Sequence, residues 1–247
     1  MTTPAAGEEP TPELEPSDAD PTKMEKLSLQ LRSLIGSVVD KGVGPITGSV
    51  SWAEDRLARV QGDRYDASQF GSRKPLDADA ADVEKVIKRL IGESVAAGGT
   101  NGFVTGLGGM VTLIVAIPVN TAGALIINAR LAGAIAYLRG YKLDDPHTQT
   151  AITLVVLGSS AQQALRAVGV SVGQKAAMQA LKKLPIAVLH EINKKAGFML
   201  VAKYGTKRAA VTLAKGVPLV GGVVGGAVDA TMTAAVGRVA KTMFPAN

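Results

Sequence analysis

Cysteine is absent from the 247 residues, which excludes a disulfide framework, thiolate metal ligation and a cysteine nucleophile. His147 and His190 are the whole histidine complement, too small for most histidine-based zinc sites. Aromatic residues reach 4% and charged residues 19%, against about a quarter charged in an ordinary domain. A secretory leader, with its positive start and apolar core, is missing from the N-terminus, so a cytoplasmic protein is expected. What the chain has instead is oil and small residues: 47% hydrophobic, with 28 glycines.

The net charge of +6 hides a strong asymmetry. The first 20 residues hold Glu8, Glu9, Glu13, Glu15, Asp18 and Asp20 with no base. Four prolines and little to bury make this a disordered acidic tail, residues 1–21. The last third, from Arg166, holds 12 Lys and Arg against Glu191 and Asp229 alone. A basic third points to a polyanionic surface, lipid or nucleic acid.

Hydrophobic spacing predicts helices throughout. The first runs from Thr22 to about Lys41, with Met24, Leu27, Leu31, Leu34, Ile35 and Val38 on one face, and stops at Gly42, Gly44 and Pro45. A short helix carrying Trp52, the polar loop 61–78 and a helix from about Ala80 to Ala97 follow. Ser94–Ala129 is then uncharged for 36 positions. As one helix it would run ~54 Å, against a ~30 Å hydrocarbon core. Its glycines and Pro118 divide it into arms of 103–117 and 118–138, which predicts a buried or re-entrant helical hairpin. Asp145 and Pro146 are the cap and first position of a helix to about Val168. Helices over Ser171–Leu184, Pro185–Tyr204 and Pro218–Phe244 complete the chain, the second of these with Ile186, Leu189, Ala196 and Met199 inward. No strand alternation is visible. The fold class is all-α, a multi-helix bundle around a glycine-rich hairpin, with N-terminal helices and loop at 22–78 and a larger helical domain at 79–247.

The chemistry-bearing motifs are weak. GFVTGLGG at 102–109 lacks the Lys-Ser/Thr ending of a phosphate-binding loop and follows no strand. Ser159 and Ser160 have no Gly-x-Ser-x-Gly surroundings, and His147 and His190 sit on ordinary helix positions. No catalytic constellation, cofactor or metal site is expected, and the chain reads as a non-enzyme. The basic third is more informative: Lys175, Lys182, Lys183, Lys194, Lys195, Lys203, Lys207 and Arg208 share helices with apolar faces. Single-strand nucleic-acid readers need aromatic platforms, and Phe198, Tyr204 and Phe244 are too few, so no nucleic acid is expected. Anionic lipid needs charge alone, roughly 1 kcal/mol per base; a merely solvated basic face would look the same.

Gly221, Gly222, Gly225 and Gly226 give two overlapping GxxxG spacings, a device for close helix approach. At about 100° per residue, Asp229 falls on that glycine face, and Arg130 falls opposite the stripe of Asn120, Asn128 and Arg139. A buried ion pair of Arg130 with Asp229 is predicted.

Beyond these single features, a run of segments resembles the EcsC family: GFVTGLGG and TLIVAIPVN (112–120), RLAGAIAYLRGYKLDDP (130–146), LGSSAQQALRAVGVSVG (157–173), KKLP (182–185), INKKAGFMLVAKYG (192–205) and VPLVGGVVGGAVDATMTAAVGRVAK (217–241). The resemblance covers about residues 80–244. It implies a hydrophobic, helical, membrane-linked bacterial protein, since the family is named for the third gene of an ABC-transporter operon. It carries no catalytic residues with it. The expectation is a non-enzymatic membrane-associated protein, peripheral or partly inserted, accessory to a membrane or transport process, that binds anionic lipid, with a membrane transporter component as a candidate partner. The alternative is a carrier holding an acyl chain in a pocket lined by Phe103, Leu107, Met110, Leu113 and Ile117.

Overall fold

A computed structural model describes residues 21–69, 78–99, 119–171, 173, 176–204 and 218–246, with backbone alone at 21, 69, 99, 119–121 and 218–229. The acidic tail and the first arm of the hairpin lie outside the described residues.

Helix α1 (Pro21–Asp40) buries Leu31, Ile35 and Val38, with Met24, Leu27 and Leu34 at the edge of the core. Gly42 (φ 89°) and Gly44 (φ 60°) then turn the chain through a region that favours glycine. They form a small antiparallel ribbon of β1 (Gly42–Val43) and β2 (Ile46–Thr47), with Gly42 opposite Thr47. The sequence shows only a helix stop here, because two-residue strands have no alternation to detect.

After the ribbon come α2 (Ser49–Gln61), α3 (Ala80–Gly99), α4 (Val119–Leu138) and α5 (Pro146–Leu157). Short helices α6 (Ala161–Arg166) and α7 (Ala177–Leu181) lead to α8 (Ile186–Tyr204) and α9 (Pro218–Met243).

The second arm of the predicted hairpin is the axis of the bundle. Helix α4 packs against α1, α2, α3, α5, α8 and α9. From Ala122 to Leu138 every residue except Ala124 and Arg130 is buried. A helix apolar all round is either a core helix or a membrane span, and six protein neighbours account for this one. No helix among the described residues is long and apolar enough to cross a membrane.

The ends of α4 and α5 follow local chemistry. Gly140 (φ 94°) closes α4, with the Tyr141 N–H reaching the Ala136 carbonyl at 3.0 Å and the Gly140 N–H reaching Tyr137 at 2.9 Å. Asp145 caps α5 by accepting from the His147 N–H at 3.1 Å, with Pro146 at the first position, as the sequence predicts.

Three expectations need correction. The helix predicted to reach Val168 stops at Leu157, where Gly158 (φ 65°) bends the chain into a 3-10 turn before α6. Within the helix predicted over Ser171–Leu184, Ser171 and Gly173 are not helical and α7 covers Ala177–Leu181, glycine being a poor helix former. Ile186, predicted to face inward, is 46% exposed. It opens α8, where the periodicity continues but the neighbouring helices do not cover it.

Glycines permit the closest helix crossings. A Cβ on Gly133 of α4 would lie 2.5 Å from Ser49 Oγ of α2, and one on Gly237 of α9 would lie 2.7 Å from the Ile91 side chain of α3. One on Gly197 of α8 would overlap Ser28 Oγ of α1. A polar staple adds to the α3–α4–α9 junction, where Glu84 accepts from Arg139 and from Lys241 at 2.9 Å. Burial acts to raise the Glu84 pKa but is outweighed by the Lys241 hydrogen bond and the Arg139 charge, so the carboxyl stays below its ordinary value. The N-terminal helices share one core with the rest: Leu31, Trp52 and Leu57 join Leu125, Ile152 and Phe244 in a single buried cluster.

Candidate functional site

The basic third divides when its side chains are placed. Lys182 and Lys183 lie between α7 and α8, and Lys194 and Lys195 on α8; all four are exposed. Lys182 stands 4.9 Å over the Tyr141 ring. None of the ion pairs among the described residues involves residues 166–204; the paired bases are Arg56, Arg59, Arg64, Arg89, Arg139, His147 and Lys241. Exposed Ile186 stands in sequence between the two lysine pairs. Lys175, Lys207 and Arg208 lie outside the described residues.

Lys203 differs from these four. Its side chain turns inward from α8, and Nζ donates to the carbonyls of Val156 at 3.0 Å and Leu157 at 3.1 Å. These are last-turn carbonyls of α5, the negative end of its dipole. Nζ also lies 5.1 Å from the Tyr204 ring. Desolvation lowers its pKa to about 8. Lys203 therefore does not belong to the exposed basic surface. Its residue type signals a surface charge; its burial follows from the crossing of α8 with the end of α5. Lys203 lines an apolar pocket of about 340 Å³ between the α6–α7 segment and the second half of α9, with Leu165, Met232, Ala235, Val236 and Val239 among its walls.

Arg130 is held by residues of the ribbon and of α2. Its guanidinium carbon lies 4.2 Å over the Trp52 ring and Nη2 donates to Thr47 Oγ1 at 2.6 Å. Nε is buried without a hydrogen-bond partner, as is Ser94 Oγ across the same cleft of about 200 Å³. Burial lowers the Arg130 pKa to about 10, with repulsion from Arg56 adding and attraction to Glu93 opposing. The side chain of Asp229, the predicted partner, lies outside the described residues, and Gly221, Gly222, Gly225 and Gly226 are described as backbone of α9 alone. Glu93 gathers Arg56 at 2.8 and 2.9 Å, Arg89 at 3.0 Å and the Trp52 Nε1–H at 3.3 Å. Its carboxyl pKa is lowered: burial opposes ionisation, and the Arg56 and Arg89 hydrogen bonds outweigh it.

Sequence reasoning also missed a buried carboxylate. Glu54 of α2 is 1% exposed and accepts from the hydroxyls of Tyr65 at 2.6 Å and Tyr137. Its position on the inner face beside Trp52 and Leu57 was a readable signal.

The remaining candidates are placed as follows. His147 bridges Asp145 at 3.0 Å and the Leu184 carbonyl at 3.2 Å, tying the start of α5 to the approach of α8. His190 is exposed. Ser159 is exposed at the rim of the Lys203 pocket, and Ser160 is half-buried beside it in the chain. Phe103, Leu107, Met110, Leu113 and Ile117 lie outside the described residues. A cleft of about 740 Å³ between α1, α5 and α8 mixes Arg32, Asp40, Asp144 and Gln149. Among the described residues no group of three His, Asp or Glu is placed to hold a metal ion.

Comparison with known proteins supplies one match. The profile of the EcsC protein family covers residues 64–245. No curated protein and no solved structure matches the chain. With most of its length under that profile, and the uncharged stretch, the Asp145–Pro146 turn and the glycine-rich last helix all within it, the chain belongs to the EcsC protein family.

Proposed function

We propose that this protein works at an anionic membrane surface as a non-enzymatic accessory to a membrane or transport process, attached peripherally through the start and outer face of α8. The observation that supports this is the set of exposed lysines with no carboxylate partner among the described residues, Lys182, Lys183, Lys194 and Lys195, which flank exposed Ile186 in the sequence. Lysines near an anionic bilayer contribute roughly 1 kcal/mol each, and an exposed aliphatic side chain among them has an apolar layer to enter. The family membership agrees with this reading through the transporter operon for which the family is named. A partner in that setting is a component of a membrane transporter.

Flotation with phosphatidylglycerol vesicles and with phosphatidylcholine vesicles, across a salt series, tests it. Binding to the anionic vesicles alone is expected, falling as salt shortens the screening length. Lys182→Glu with Lys183→Glu, Lys194→Glu and Lys195→Glu should abolish it. Equal, salt-independent binding to both vesicle types would remove the electrostatic basis of the proposal.

A further inference from the structure

The Lys203 pocket holds an arrangement that neither the family nor the basic surface explains. Its walls are mainly apolar, Leu165 from α6 and Met232, Ala235, Val236 and Val239 along one stripe of α9, with the neutral polar Ser159, Gln162 and Thr242 also in the lining. Met232, at 40% exposed, marks the open end. Into this apolar space the chain brings one ammonium. Among the described residues lining the pocket there is no carboxylate. The described hydrogen bonds of Lys203 go to two neutral carbonyls, and an ammonium has three donors.

A lysine can cap a helix C-terminus from the surface with its charge in water. That role accounts for the two carbonyl contacts. It does not account for an open, mainly apolar pocket beside the half-buried charge. A cation in a poorly hydrated space gains most from an anion that brings no water with it. The volume of about 340 Å³ falls at the small end of the about 300–1,000 Å³ found for ligand sites, which suits one hydrocarbon chain and not two. The one N–H with no acceptor among the described residues suits a singly charged carboxylate better than a phosphate, which calls for several donors.

We infer that the pocket between α6, α7 and α9 binds a single-chain fatty carboxylate, its head group on Lys203 Nζ and its chain along Leu165, Val236 and Val239. The site is distinct from the lysines around Ile186 and from the 103–117 arm, and it stands or falls independently of membrane binding.

Titration calorimetry and native mass spectrometry of the full chain with dodecanoate, below its micelle concentration and without vesicles, test the inference. One dodecanoate per chain is expected, with 1-dodecanol, which has the same chain and no charge, at least tenfold weaker. Lys203→Met should weaken dodecanoate at least tenfold, while Lys203→Arg keeps most of the affinity. Ala235→Trp, which fills the pocket and leaves Lys203 in place, should abolish binding of both ligands. Circular dichroism checks that each variant is folded. If Lys203→Met does not fold, the dodecanol comparison and Ala235→Trp decide. Failure of the native chain to bind dodecanoate, equal affinity for dodecanol, or stoichiometric binding that survives Ala235→Trp would overturn the assignment.

Discussion

At the scale of single residues, two half-buried cations carry the consequences. Lys203 has a pKa lowered by desolvation to about 8, against an ordinary value of 10.5. The folded chain thus favours the neutral amine, and between these two values the unfolded chain binds more protons. Stability contributed by this group must rise as pH increases from about 8 to 10.5. Below that window both states are protonated and the cost of burying the charge is carried in full, up to about 3 kcal/mol for a shift of this size. Urea unfolding of the native chain and of Lys203→Met, compared across the window, should show the native chain gaining on the variant as pH rises. A constant difference would show that the amine is not desolvated. Arg130 shows the same physics with another outcome. Its planar guanidinium lies over Trp52 and stays charged at neutral pH, because a pKa lowered to about 10 is still far from it.

At the scale of helices, close crossings are set by what the glycines lack. Gly197 faces Ser28 so closely that an added methyl group would overlap the serine hydroxyl oxygen. Gly197→Ala should therefore separate α8 from α1 and cost about 1–3 kcal/mol, as overpacking does. Ser28→Ala in the same chain removes the oxygen and leaves a Cβ approach of 3.2 Å. Chemical denaturation should show the double variant recovering most of the loss, a coupling that distant sites do not have. Strictly additive effects would mean that the crossing relaxes some other way. The INKKAGFMLV pattern shows a helix with Gly197 within it, and only the crossing shows why glycine is needed there.

At the scale of the molecule, the family profile and the packed core have different boundaries. The profile begins at residue 64, whereas α1 and α2 supply Leu31, Ile35, Val38, Trp52 and Leu57 to the core and pack against α4. A chain of residues 64–247 would leave much of the surface of α4 uncovered. It is expected to be aggregated or to lack fixed tertiary packing, as read by near-ultraviolet circular dichroism and dye binding to exposed apolar surface. A cooperatively unfolding 64–247 fragment would show that the N-terminal helices are dispensable. The same core explains the hydropathy of the molecule. Helix α4 is apolar nearly all round because six other helices surround it.

The sequence by itself determined the elements whose causes are local. Periodicity placed α1, α3, α8 and α9 to within a few residues. The Asp-Pro pair fixed the start of α5, and the order of the oily and glycine-rich segments identified the family. It overran at Gly158 because apolar spacing continues through a glycine whose positive φ ends the helix. What the tertiary structure decided is where each charge resides. Lys194 and Lys203 are both lysines on α8, yet one faces solvent and the other reaches the carbonyls that end α5, 46 and 47 residues away in sequence. Arg130 meets Thr47 across 83 residues. Local pattern records which side of a helix is apolar. The partner of a buried charge depends on which helix crosses at that point, and the crossing is set by packing over the whole chain.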